Sequence, residues 1–223
     1  MTTMNLEFKD GVHVLTLTDG DNDNTLSQAV LEEYHGALDR VEAFEGNTAL
    51  LITCAHEKTF STGINLPWLL SQTPEKSQLF VETLERLIYR LALLDMPTIA
   101  AINGNCYAGA AIMMSGMDFR FMRADRGRFC YPEVNIKIPF TPMMIDVISL
   151  IPNKHALKHM ALTGTAYTGE ECKAFDIVDD IFPRDQLQEM SLAFAREMAQ
   201  KDRQTYTTIK RSMRQAIARH QLA

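Results

Sequence analysis

The stretch Met96-Pro-Thr-Ile-Ala-Ala-Ile-Asn-Gly-Asn-Cys-Tyr-Ala-Gly-Ala-Ala-Ile-Met-Met-Ser-Gly-Met117 carries no charged side chain across 22 residues. Its length nearly suits a membrane span. Pro97, Asn103, Gly104, Asn105 and Gly109 interrupt it too early for one continuous helix. It reads as a buried strand over Thr98–Ile102, a turn, and a buried helix over Ala108–Ser115. The small residues Ala108, Gly109, Ala110 and Ala111 let a helix N-terminus, with its unpaired N–H groups and positive dipole end, come close to something else.

Working upstream, the apolar run Ala49–Cys54 predicts a second buried strand. Directly after it comes Lys58-Thr-Phe-Ser-Thr-Gly-Ile-Asn-Leu66, where Gly63 permits a sharp turn and Asn65 can cap a following helix. Two turns of this kind, each following a strand, would form an oxyanion hole if their N–H groups converged. Close packing alone uses the same small residues. Between the turns, Phe80, Leu84, Leu87, Ile88 and Leu91 mark a long helix from about Pro74 to Leu94. Nearer the N-terminus, Leu6–Phe8 and Val12–Leu17 flank Asp10-Gly11 as a hairpin, and Ser27 opens a helix to about Phe44. Downstream, strands are expected at Phe119–Arg123, Arg128–Cys130 and Ile177–Phe182, with helices filling the remainder. Alternating strands and helices, without repeat or linker, predict one α/β domain with substantial parallel pairing. Within it, residues 1–190 form the core and 191–223 a helical C-terminal segment.

Composition narrows the function. With 223 residues and 46% hydrophobic content the chain can fill a core, and 22% charged residues do not suit a disordered one. The net charge of −6 argues against nucleic acid as a partner, and no membrane association is expected. The tail from Ala195 is basic, so Lys210, Arg211 and Arg214 are either a solvated face or an anion contact. Cys54, Cys106, Cys130 and Cys172 form no CxxC, and the opening MTTMNLEFKDG has no apolar leader, which predicts free thiols and a cytoplasmic protein. No metal is expected. DGDNDN at 19–24 starts like a calcium loop, but its twelfth position is Val30 rather than glutamate, and His155/His159 lack a third ligand. Neither GxGxxG nor GxxxxGKS occurs, and Ser61 and Thr62 have no evident triad partners.

Five blocks in order carry a resemblance: Asn24-Thr-Leu26; Phe60-Ser-Thr-Gly-Ile-Asn-Leu66; Met96 through Gly104 into Ala108-Gly-Ala110; Tyr131-Pro-Glu133; and Leu162-Thr-Gly164, followed by Ile177-Val178 and Phe182-Pro183. Together they resemble the crotonase (enoyl-CoA hydratase/isomerase) superfamily over about residues 5–190. The resemblance implies a spiral of ββα units, assembly as a homotrimer or dimer of trimers, and an acyl-CoA thioester as substrate. No separate cofactor is implied, because coenzyme A is part of the substrate. It further implies oxyanion donors at the N–H groups of Ile64 and Gly109, with Lys58, Phe60 and Thr62 near the adenine end of coenzyme A. Ile112, Met113, Phe140, Ile136 and Ile138 are expected as walls of the acyl site. Trp68 either lies against the acyl chain or covers the core. Asn65 and Lys137 depart from the aspartate and glycine usual in the superfamily.

The acids decide which reaction is expected. Hydratases of the superfamily hold water between two glutamates, one of them three residues beyond the oxyanion glycine. That position is Ile112 here, and only the second acid, Glu133, remains. A single carboxylate can carry a proton from C2 to C4 of a 3-enoyl thioester, so the resemblance is to a single-glutamate Δ3,Δ2-enoyl-CoA isomerase of fatty-acid metabolism. Asp146 is a reserve candidate for the base. The competing expectations are a weak hydratase, a thioester hydrolase, and a non-catalytic acyl-CoA-binding protein.

Overall fold

A computed structural model describes residues 2–220. The hairpin β1 (Met4–Lys9) and β2 (Val12–Leu17) leads through α1 (Gln28–Glu42) to β3 (Ala49–Cys54). Short β4 (Thr59–Ser61) and α2 (Leu66–Leu70) precede the long α3 (Pro74–Leu93). The charge-free stretch then forms β5 (Thr98–Ile102), β6 (Asn105–Tyr107) and α4 (Gly109–Ser115). After it come β7 (Phe119–Arg123), β8 (Arg128–Cys130), α5 (Glu133–Ile136), α6 (Pro142–Ile148) and α7 (Lys154–Thr163). The chain continues with β9 (Tyr167–Thr168), α8 (Gly169–Ala174), β10 (Asp180–Phe182), α9 (Arg184–Met198), α10 (Arg203–Met213) and α11 (Gln215–Ala218).

The strands form two sheets, ordered β1-β2-β3-β5-β7-β10 and β4-β6-β8-β9. The pairs β3/β4, β5/β6 and β7/β8 each place one strand in the large sheet and the next in the small one, and each leads into a helix. That repeat is the expected spiral of ββα units. Apart from the β1–β2 hairpin, the large sheet is parallel. Its central strands β3 and β5 are buried throughout, and so read as unbroken apolar runs.

Period-two alternation divides the sheet's faces. Val14, Leu51, Ile99, Ala101 and Phe121 lie with Leu187, Ala195 and Ala199 of the α9 region. Leu15, Leu50, Ile52, Ala100, Ile102 and Met122 face the main core with α1 and α3. Residue 191, where the C-terminal segment was expected to start, lies inside α9.

Other differences have local causes. The strand expected over Ile177–Phe182 is limited to Asp180–Phe182. Ile177 and Val178 instead donate their N–H groups to the Cys172 carbonyl in a turn after α8, and their apolar side chains enter the core there. Ser27 holds the N-cap position of α1 but makes no side-chain cap bond. Asn65 does cap α2, its side chain accepting the Trp68 N–H at 3.0 Å.

Lys210 and Arg214 are neither a solvated face nor anion contacts. Both are buried, and both pair with Asp118, at 2.9 and 2.8 Å. Lys210 also donates to the Met96 carbonyl, and Arg214 to the carbonyls of Ala92 and Gly116. They fasten the C-terminal helices to the two ends of the charge-free stretch. A cation inside the protein is tolerated only with such partners. Among the described residues, no helix is long and apolar enough to cross a membrane.

Candidate active site

The two backbone-exposing turns are zipped together. Strands β4 and β6 pair in parallel, Thr59 with Asn105 and Ser61 with Cys106, so the turns that follow them emerge side by side. Gly63 has a φ of +80°, and a Cβ there would stand 2.7 Å from the Tyr107 carbonyl and 2.9 Å from the Gly109 nitrogen. The backbone carrying Ile64 therefore lies directly against the start of α4. Ala108 takes a φ of +51° and ψ of −131°, unusual for a residue with a Cβ, and so turns the chain into α4. Among the described residues, neither the Ile64 N–H nor the Gly109 N–H donates a hydrogen bond. Two adjacent unpartnered donors are what a developing oxyanion requires.

Gly63→Ala would force a β-carbon into backbone on both counts, conformation and space. A loss of at least about 1–3 kcal/mol in unfolding free energy is expected, measurable by denaturant titration against Gly109→Ala. At Gly109 the same added carbon would meet nothing nearer than Leu26 Cδ1 at 3.4 Å.

Glu133 opens α5, and the preceding strand β8 ties it to the donor turn: the Ala108 N–H donates to the Cys130 carbonyl at 3.1 Å. Glu133 is only 5% exposed, and its Oε2 has no hydrogen-bond partner among the described residues. Desolvation raises its pKa to about 7, opposed in part by a hydrogen bond from its own backbone N–H. It borders a cleft of about 420 Å³ whose other walls are Lys137 and the apolar Val134, Ile138, Pro139, Phe140, Ile145, Ala161 and Leu162. A buried carboxyl that titrates near neutrality and faces apolar walls is suited to proton transfer.

Supporting residues explain two further motifs. Gly164, of Leu162-Thr-Gly164, caps α7 at a φ of +67°, and a Cβ there would fall 2.1 Å from Asn135 Nδ2 on α5. The close approach lets α7 back the helix that starts with Glu133. Lys137 ends α5 in the left-handed region at φ 61°, and its N–H donates to the Glu133 carbonyl. A glycine adopts this conformation without cost, which explains the glycine of the family pattern but not the lysine that replaces it here.

The structure does not gather all the expected substrate contacts. Phe140 and Ile138 share the Glu133 cleft. Ile112 and Met113, 2% and 1% exposed, point into the core instead, because α4 is buried on every side. Phe60 is also core, 1% exposed, as the middle residue of a strand in the small sheet. Lys58 is exposed and Thr62 partly so, with the Thr62 N–H donating to the Asp23 carbonyl. Trp68 stacks edge-on against Phe80 at 5.3 Å and packs on the core. Asp146 pairs with His220, and His159 hydrogen-bonds the Tyr167 hydroxyl. A larger hollow of about 570 Å³, between the outer strands and α9, contains none of the expected site residues. Sequence reasoning missed the Asn135–Gly164 contact, whose only signal was the glycine itself.

The spiral fold is shared with solved structures. It matches the apo structure of an enoyl-CoA isomerase of Mycobacterium tuberculosis with a TM-score of 0.87 at 22% identity, covering 97% of this chain and 93% of that one. An enoyl-CoA hydratase/isomerase family protein of Pseudomonas syringae gives a TM-score of 0.88 at 22% identity, covering 96% and 91%. Residues 7–223 match the family model for enoyl-CoA hydratase/isomerase, and the chain belongs to that family. It is 28% identical over 222 residues to enoyl-CoA delta isomerase 3 of Arabidopsis thaliana, covering 96% of this chain and 93% of the relative. It is 33% identical over 195 residues to a putative enoyl-CoA hydratase of Thermus thermophilus, covering 86% and 76%.

Proposed function

We propose that the chain is an enoyl-CoA isomerase that converts a 3-enoyl-CoA to the 2-enoyl-CoA. The observation that carries this reading is the single acid: Glu133 is buried at the cleft, and Ile112 stands at the sequence position where the resemblance puts the second glutamate of a hydratase. Ionised Glu133 removes a proton from C2, and the electron pair moves into the thioester carbonyl as the C3–C4 π bond joins the dienolate. The N–H groups of Ile64 and Gly109 hold the oxyanion. Protonated Glu133 then returns the proton at C4, leaving the double bond between C2 and C3. No water takes part, so one carboxyl suffices. Likeness to a relative named as a delta isomerase supports this choice, and the hydratase-named relative supplies the alternative to be tested.

The test is conversion of 3-hexenoyl-CoA to the conjugated thioester, followed by absorbance beside a hydration assay on 2-hexenoyl-CoA. Isomerisation without hydration is expected. Comparable hydration would reject the one-acid reading, and binding without turnover in either assay would favour a non-catalytic role.

The pH profile gives a separate check. Because the base must be ionised, kcat/KM should rise with pH through about 7 and then level off. A profile flat through neutrality would exclude Glu133 as the base.

Assembly as a homotrimer or a dimer of trimers is part of the proposal, and light scattering on the eluting peak tests it and tells the two apart. Four buried free thiols support a reducing, cytoplasmic location.

A further inference from the structure

The segment Asp23–Leu26 has no role in proton transfer, yet it is strained and closely bound to the donor turn. Asp23 and Asn24 both adopt positive φ, 52° and 46°. Two consecutive residues with side chains in this region persist only when their surroundings hold them there. Asn24 is buried, its Oδ1 has no partner among the described residues, and its Nδ2 donates to the Phe60 carbonyl at 2.9 Å and to Cys54 Sγ at 3.2 Å.

The bonds that follow bracket Ile64. The Leu26 N–H donates to the Gly63 carbonyl at 2.8 Å, and the Asn65 N–H donates to the Leu26 carbonyl at 3.0 Å. Ser61, which is buried, joins the two segments: its hydroxyl donates to the Asn24 carbonyl at 2.7 Å and accepts the Gly63 N–H at 3.2 Å. Every backbone donor from Thr62 to Asn65 is thereby engaged except the Ile64 N–H.

From this bracket we infer that Asn24 and Ser61 are positioning residues that aim the Ile64 N–H at the substrate oxyanion. The inference rests on the oxyanion role given to Ile64 above. Neither side chain touches the reacting atoms. Ser61 holds the Gly63 N–H, one peptide before the plane that carries the Ile64 N–H. Both side chains tie β4 to the Asn24 segment, whose Leu26 N–H grips that plane through the Gly63 carbonyl. A displaced plane weakens a hydrogen bond made mainly in the transition state.

The experiment compares wild type with Ser61→Ala, and with Ser61→Cys, which keeps the shape but bonds weakly through sulfur. Hexanoyl-CoA serves as an unreactive probe, and the infrared stretch of its thioester carbonyl reports the donors directly. In the wild type the stretch should move to lower frequency on binding. In both variants that displacement should shrink, kcat should fall by at least about tenfold, part of the 10²–10³ that full loss of a donor costs, and KM should stay unchanged. Ser61→Thr, which retains the hydroxyl, should recover both signals. Full displacement and turnover in Ser61→Ala would overturn the inference, as would a variant that only melts earlier while its folded fraction keeps the wild-type stretch. Wild-type binding without any displacement would instead reject the oxyanion hole itself, and this inference with it.

Discussion

Glu133→Gln is expected to remove the proposed isomerase activity while leaving the protein folded and more stable at neutral pH. The amide matches the carboxylate in shape but cannot take up the C2 proton, and general acid–base catalysis contributes about 10²–10⁴-fold. A fall of that order in kcat, read from formation of the conjugated thioester, is the predicted result, with KM little changed. Wild-type turnover in the variant would end the proposed mechanism.

The gain in stability has a definite sign. The Glu133 pKa rises from about 4.5 unfolded to about 7 folded, because the ionised form is desolvated. The native state therefore binds more proton across that window. Stability contributed by the neutral carboxyl is fully present below about pH 4.5 and is lost as pH rises through about 7. The loss is on the order of 3 kcal/mol. Glutamine carries no such cost, so thermal melts of wild type and variant should diverge in favour of the variant as pH increases from 5 to 8. Equal melting temperatures at both pH values would mean that the Glu133 carboxylate is solvated.

Gly109→Pro should reduce turnover by at least about 100-fold, because it deletes one of the two proposed oxyanion donors. The position suits the experiment. Gly109 is the first residue of α4, where proline is tolerated because its missing N–H has no intrahelical partner. The nearest atom to an added β-carbon is 3.4 Å away. Gly109→Ala supplies the control, since it adds the carbon and keeps the N–H. Alanine near wild-type activity beside an inactive, folded proline variant would isolate the donor. An active, folded proline variant would refute the assignment of Gly109.

Much of the fold was legible where burial imposes a period. Strands β3 and β5 are central and parallel, so their runs Ala-Leu-Leu-Ile-Thr-Cys and Thr-Ile-Ala-Ala-Ile stand out as unbroken apolar segments. Helices α1 and α3 each bury one stripe, and those stripes were found nearly to their ends. Of the small sheet only β8 was legible. Strands β4 and β6 have three residues each, too few for alternation to register, and they look like the turns they lead into. Phe60 was accordingly expected at the ligand, although β4 holds it in the core. The basic C-terminal residues were ambiguous for a different reason: charge in the sequence does not reveal that Asp118, far back along the chain, meets both Lys210 and Arg214.

The sequence by itself determined the elements, their parallel arrangement, the family pattern and the survival of one glutamate where two would serve hydration. Each depends on residue type at short spacing, or on motifs in order. Tertiary structure decided what those residues can do. Pairing of β4 with β6 places the two donor turns side by side, and the Ala108–Cys130 bond links them to the strand before Glu133. Packing of α5 against α7 buries the carboxyl and moves its pKa toward neutrality. These are properties of contact between distant segments, and local composition carries no record of them.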